Sequence, residues 1–133
     1  DLESMSVFLK NENIKNIKLP VSAPFHCDLM AKATEAMKKE FKDINFKQSN
    51  ISLISNVTAD KISNVGDLKN LLISQIEKKV RWRESILYMN KFGFKKTYEI
   101  GPGKVLCNLI RRIANEIEQT NISTIEDLDK LRN

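Results

Sequence analysis

One histidine, two cysteines, three prolines and four glycines are all that the 133 residues hold of the types that mark catalytic, metal and turn chemistry. With His26 as the only imidazole and no ligand spacing between Cys27 and Cys107, neither a zinc site nor a disulfide framework is expected. The two cysteines read as free thiols in a reducing compartment. No apolar run approaches the roughly 18 residues of a membrane span, so no membrane association is expected. The chain opens "DLESMSVFLK", without a start Met or a signal-peptide pattern, and a targeting segment is expected to be absent or removed. Blocks of one charge are missing as well. The net charge of +5 is spread along the chain, with only short runs such as "FKKT" and "IRRI", and reads as solvated helix faces. Abundant Lys, Asn and Ile match the coding bias of an AT-rich genome, which suggests the cytoplasm or a plastid-type organelle such as an apicoplast. Internal repeats and low-complexity linkers are also missing.

What is present is one domain's worth of alternating patterns. Residues 3 to 10 read as a short helix, followed by the polar turn "NEN" and the extended run "IKNIKLPVS". After Pro24, Met30, Ala33, Met37 and Phe41 fall at helical spacing, with Asp28 as the expected N-cap. "ISLISNV" reads as a buried strand. A helix from Asp67 turns Leu68, Leu71, Leu72 and Ile76 inward. The next carries Trp82, Ile86, Met89 and Phe92 and stops at Gly93. "KTYEI" is a short strand, and "GPGK" turns it into a helix with Leu106, Leu109, Ile110, Ile113 and Ile117 inward. Ser123 and Glu126 match a capping box for a last helix bearing Ile125, Leu128 and Leu131. Strands alternating with helices indicate an α/β fold, but two or three strands are few for a complete one, so the chain reads as part of something larger.

His26 stands in the loop "LPVSAPFHCDLM", beyond an extended segment and before a helix, the place where α/β proteins build sites. A lone histidine is more often structural than catalytic, but a structural one belongs on an apolar stripe. Cys27 next to it is a poor partner, because neighbouring side chains on extended backbone point apart. Gln75 lies near the end of its helix, where the last carbonyls lack intrahelical partners. It either accepts a bond from outside or marks a stripe fraying to solvent. "GPGK" reads as a phosphate-cradling turn or as an ordinary tight turn between strand and helix.

In order, "LPVSAPFHCDLM", "ISNVTAD", "LLISQIEKKVRWRESI" and "YEIGPGKVL" resemble the malonyl-CoA:acyl carrier protein transacylases from about residue 14 to about residue 118. The resemblance implies part of an α/β-hydrolase-like acyltransferase core with parallel strands flanked by helices. Residues 1–18 would end a ferredoxin-like small subdomain, and residues 19–133 would be the C-terminal part of the large one. It implies transfer of a malonyl group from coenzyme A to the thiol of acyl carrier protein in type II fatty acid biosynthesis. The nucleophile would be a serine in a G-H-S-x-G elbow, and no such motif occurs in this sequence. The family's malonate-binding arginine and oxyanion-hole glutamine also come from segments that this chain lacks. The general-base histidine maps onto His26, and the main-chain carbonyl that orients it maps onto Gln75; no metal or cofactor is implied. His26 is therefore expected at the surface of a cleft, with Nδ1 in reach of the Gln75 carbonyl. Gln75→Ala is expected to do little, since its side chain is not the acceptor. Two other readings compete: an acyltransferase domain of a fatty acid or polyketide synthase, and a non-catalytic basic module binding nucleic acid through "KKVRWRES". Trp82 opens an apolar stripe, which favours the core over base stacking.

Overall fold

The apolar stripes on the two helices flanking "KTYEI" meet, and their meeting makes the core. In the computed structural model, which describes residues 1–18 and 21–132, these helices are α4 (Trp82–Lys91) and α5 (Val105–Ile113). Upstream of them stand α1 (Leu2–Asn11), α2 (Ala31–Glu40) and α3 (Val65–Ser74). The strands are β1 (Lys96–Ile100) and β2 (Glu118–Ile122), and α6 (Ile125–Asp129) follows β2. Leu19 and Pro20, which open the "LPVSAPFHCDLM" block at the expected 18/19 boundary, lie outside the described residues, as does Asn133.

β1 and β2 pair in parallel, in register from Lys96 opposite Glu118 to Ile100 opposite Ile122, with α5 as the crossover that a parallel pair requires. Among the described residues the sheet has these two strands. Ile86, Ile110, Ala114 and Ile117 form the buried cluster, and Trp82, Met89 and Ile113 pack against it. Trp82 thus sits at the core, as its place on the stripe predicts. Ile86 and Ile117 are fully buried. Truncating a buried Ile loses transfer energy and leaves a cavity. Ile86→Ala is therefore expected to destabilise the full-length protein by about 2–5 kcal/mol, read from the midpoint of urea unfolding.

Several sequence expectations shift. Ile117 does not belong to α5, which ends at Ile113 with Ala114 as its C-cap; it leads into β2 and reaches the same core from there. α3 begins at Val65 rather than Asp67, because Asn64 caps it, accepting from the Gly66 N–H at 2.8 Å. Its buried residue is Ile73; Leu68, Leu71 and Leu72 are half-buried. Asp28 is not the cap of α2. It opens a 3₁₀ turn, Asp28–Met30, and Met30 precedes α2 without a side-chain capping bond. The last capping box sits one residue later than read. Thr124 accepts from the Asp127 N–H at 3.2 Å, and the Asp127 carboxylate takes the Ser123 and Thr124 N–H groups at 3.1 and 3.2 Å.

"ISLISNV" is not a buried strand. Ile51 and Leu53 are exposed, and only Ile54 bridges, antiparallel to Lys61. The segment instead enters a tight loop: the Ser55 N–H donates to Asp60 O at 3.0 Å, and the Ala59 N–H returns to Ser55 O at 2.8 Å. The "NEN" turn, the stop at Gly93 (φ +83°) and the strand "KTYEI" stand where they were read. α1 packs on no other described helix or strand. Among the described residues no helix is long and apolar enough to cross a membrane.

Candidate active site

The loop before α2 is bent at His26, whose backbone is left-handed (φ +62°), a conformation that a residue with a Cβ adopts only when its surroundings hold it there. Two bonds from one helix end do the holding. The His26 N–H donates to Ile76 O at 3.2 Å, and the ring Nδ1 lies 2.8 Å from Gln75 O. A carbonyl can only accept, so Nδ1 carries the hydrogen in this bond, and in a neutral ring Nε2 is left as the acceptor.

Gln75 is the C-cap of α3 (φ −64°, ψ −15°). Beyond it the chain tightens, with Ile76 N–H to Ile73 O at 3.2 Å and Glu77 N–H to Ser74 O at 3.3 Å. Outside the helix ladders, no backbone N–H of the described residues donates to Gln75 O, which leaves it for the imidazole. The two sequence-predicted site residues, 49 positions apart, are thus brought together.

His26 is exposed, and it lines none of the grooves of about 220, 400 and 450 Å³, which lie beside Leu53 and Leu68, beside Ile62 and Leu71, and along Ala31–Glu40 of α2. The Cys27 thiol donates to Pro24 O at 3.1 Å rather than meeting the ring. Among the described residues no group of three or more His, Cys, Asp or Glu could hold a metal ion.

Nor does the "GPGK" turn have room for a phosphate. Its helix end is occupied by Glu99, whose carboxylate accepts the Leu106 and Cys107 N–H groups at 3.0 and 2.8 Å. Sequence reasoning missed this residue, and the available signal was an acidic side chain two positions before Gly101, facing a helix start. The Cys107 N–H, and then that of Leu106, hold its carboxyl below the usual 4.5. A depressed folded value adds stability above 4.5, which is lost as pH falls through the folded value. Glu99→Gln is therefore expected to lower the melting temperature of the full-length protein at pH 7. The difference from the parent should close below pH 4.5, as calorimetry across pH would read. Burial, and then the neighbouring Glu99 carboxylate, push the Cys107 thiol up, so it is no thiolate nucleophile.

No protein-family model matches the chain. It is 35% identical over 129 residues to a malonyl CoA-acyl carrier protein transacylase of Bacillus subtilis, covering 96% of this chain and 41% of the relative. A polyketide biosynthesis malonyl CoA-acyl carrier protein transacylase of Bacillus velezensis is 37% identical over 123 residues, covering 89% of this chain and 41% of the relative. The crystal structure of the malonyl CoA-acyl carrier protein transacylase from Clostridium perfringens superposes with a TM-score of 0.84 at 33% identity, covering 98% of this chain and 42% of that one. Over almost its whole length the chain is similar to part of the malonyl-CoA:acyl carrier protein transacylases.

It spans about two fifths of the length of these transacylases, in keeping with a C-terminal portion. The fold shared with them is α/β, a small parallel sheet flanked by helices. The likeness extends past residue 118, where the sequence resemblance fades, because the alignments take in almost the whole chain.

Proposed function

We propose that the protein carrying this chain transfers a malonyl group from coenzyme A to the phosphopantetheine thiol of acyl carrier protein in type II fatty acid biosynthesis. Residues 1–18 then end a ferredoxin-like small subdomain, and residues 19–133 form the C-terminal part of a hydrolase-like large one. The observation that carries the reading is the 2.8 Å approach of His26 Nδ1 to Gln75 O, supported by relatives bearing the transacylase name.

A serine outside this chain attacks the malonyl thioester carbonyl while His26 Nε2 takes its hydroxyl proton. Collapse of the tetrahedral intermediate breaks the C–S bond, and the imidazolium returns the proton to the departing thiolate of coenzyme A. The second half runs in reverse: His26 takes the proton of the carrier thiol, whose sulfur attacks the malonyl-serine ester. In each half the Gln75 carbonyl keeps the ring in one tautomer and one orientation, a task that an aspartate performs in other serine enzymes. The likeness to a polyketide biosynthesis relative favours a second reading with the same chemistry and a polyketide carrier.

Both are tested by incubating the full-length protein with malonyl-CoA and each class of holo-carrier, and following malonyl-carrier by mass. Transfer to the fatty acid carrier is the expected result. Preference for the polyketide carrier would replace the first reading with the second, and transfer to neither would overturn both.

A further inference from the structure

The "ISNVTAD" block is left without a role by the chemistry above, although it is among the sequence features that carry the family likeness. In the structure it reaches the active-site helix end. The Asn56 side-chain amide donates to Gln75 Oε1 at 3.1 Å, so the residue whose main chain holds the histidine is itself held by its side chain.

Asn56 is well placed to hold something still. Its carbonyl accepts the Arg81 N–H at 2.9 Å, and the Arg81 guanidinium donates to Thr58 O at 2.9 Å. One residue back, the buried Ser55 hydroxyl accepts the Val57 and Thr58 N–H groups at 3.1 and 3.3 Å. The loop is thus cross-tied at both ends. The end of α3, by contrast, is closed by short-range backbone bonds, with Ser74 O taking the Glu77 and Lys78 N–H groups at 3.3 and 2.9 Å, and helix ends of that kind fray. A peptide at a fraying end can rotate, and rotating the 75–76 peptide would swing its oxygen off the line to Nδ1.

We propose that Asn56 is a positioning residue for His26: by anchoring the Gln75 side chain to the 55–61 loop it fixes the peptide carbonyl that orients the imidazole. This rests on the proposed transacylase reading, and it changes one expectation drawn from sequence. Gln75→Ala is no longer innocuous, because the side chain anchors the acceptor even though it is not the acceptor.

The test is a double-mutant cycle in the full-length protein. Asn56→Ala and Gln75→Ala should each lower kcat for malonyl transfer about tenfold, below the roughly hundredfold that an ångström of misplacement can cost. KM for malonyl-CoA should hold, since neither residue is assigned a substrate contact. The double variant should be no worse than the poorer single one, because both remove the same bond. In proton NMR, the His26 Nδ1–H signal, assigned by its loss in His26→Ala, should broaden into exchange in both single variants. Asn56→Asp is the conservative control. A Gln amide can turn to donate to the new carboxylate, so kcat should stay close to that of the parent. If Asn56→Ala fails to fold, Gln75→Ala and Asn56→Asp carry the test without it. Additive losses, a fall confined to KM, or Asn56→Asp as slow as the alanine variant would overturn the proposal. Full activity of His26→Ala would overturn the transacylase mechanism itself. Inactive His26→Ala beside fully active Asn56→Ala and Gln75→Ala would overturn only the role given to Asn56.

Discussion

His26→Ala in the full-length protein is expected to cut malonyl transfer by roughly 10²–10⁴-fold, the range for losing a positioned general base. The chain offers no substitute, since His26 is its only histidine and the Cys27 thiol is bonded to Pro24 O at 3.1 Å. The variant carries one confound, because alanine inherits the left-handed backbone that the His26 bonds stabilise. His26→Gly separates the two effects, since glycine adopts that conformation without strain. If the loss comes from the missing base, both variants are equally slow, and added imidazole restores part of the rate in the glycine variant alone, where a ring-sized gap meets a relaxed loop. If glycine recovers activity without imidazole, His26 serves the loop and not the proton. The measurement is kcat/KM for malonyl-carrier formation, with melting temperature as the check on folding.

That His26 and Gln75 meet could not be read from periodicity. The 49 positions that separate them span a helix, a bridged loop and a second helix, and spacing rules reach only three or four positions along a helix. Spacing did place Gln75 near a helix end with carbonyls to spare, and that much is physical. The pairing itself came through likeness to a family. Asn56 had no local signature at all: an asparagine in a loop reads first as a turn residue, and its amide finds Gln75 only because the loop folds back on α3.

The fold was legible where burial follows a period. The α4 and α5 stripes were readable in part: Trp82, Ile86 and Met89 on α4 meet Ile110 and Ile113 on α5 at one core, whereas Phe92, Leu106 and Leu109 on the same stripes stay exposed. β2 was not readable, because "EQTNI" opens with four polar residues and is a strand only by pairing with β1 along its whole length. "ISLISNV" failed in the opposite sense. Its β-branched and apolar residues fit a buried strand, but among the described residues they have one bridge, and Ile51 stays 78% exposed. Strand propensity is a preference for a half-buried pleated surface, so it cannot be judged without the neighbouring strand.

These 133 residues by themselves are expected to show no malonyl transfer. Thioester exchange needs a nucleophile, a base to activate it, and donors for the oxyanion that develops in the transition state. The chain supplies His26 and its orienting carbonyl. Its serines do not fill the first role. The Ser55 hydroxyl is buried and accepts two backbone N–H groups, and the Ser85 hydroxyl is buried and donates to Arg81 O at 3.0 Å. Ser22 lies four residues before His26, in a segment with no glycine. Ser123 does stand between β2 and α6, but its hydroxyl donates to Gly101 O at 2.9 Å, and no serine of the described residues has the left-handed backbone of a strained elbow that would project it at a bound ester. Exposed apolar side chains point the same way: Ile100 at the end of β1 is 81% exposed and Leu29 beside His26 is 77% exposed. Surfaces of this kind drive association, so the isolated chain is also expected to sediment as oligomers rather than as a 15.3 kDa monomer. The decisive measurement is mass spectrometry of carrier protein after incubation with malonyl-CoA and a sample verified to hold these residues alone. Malonyl-carrier formed above the uncatalysed background would place a nucleophile within the chain and remove the need for a serine outside it.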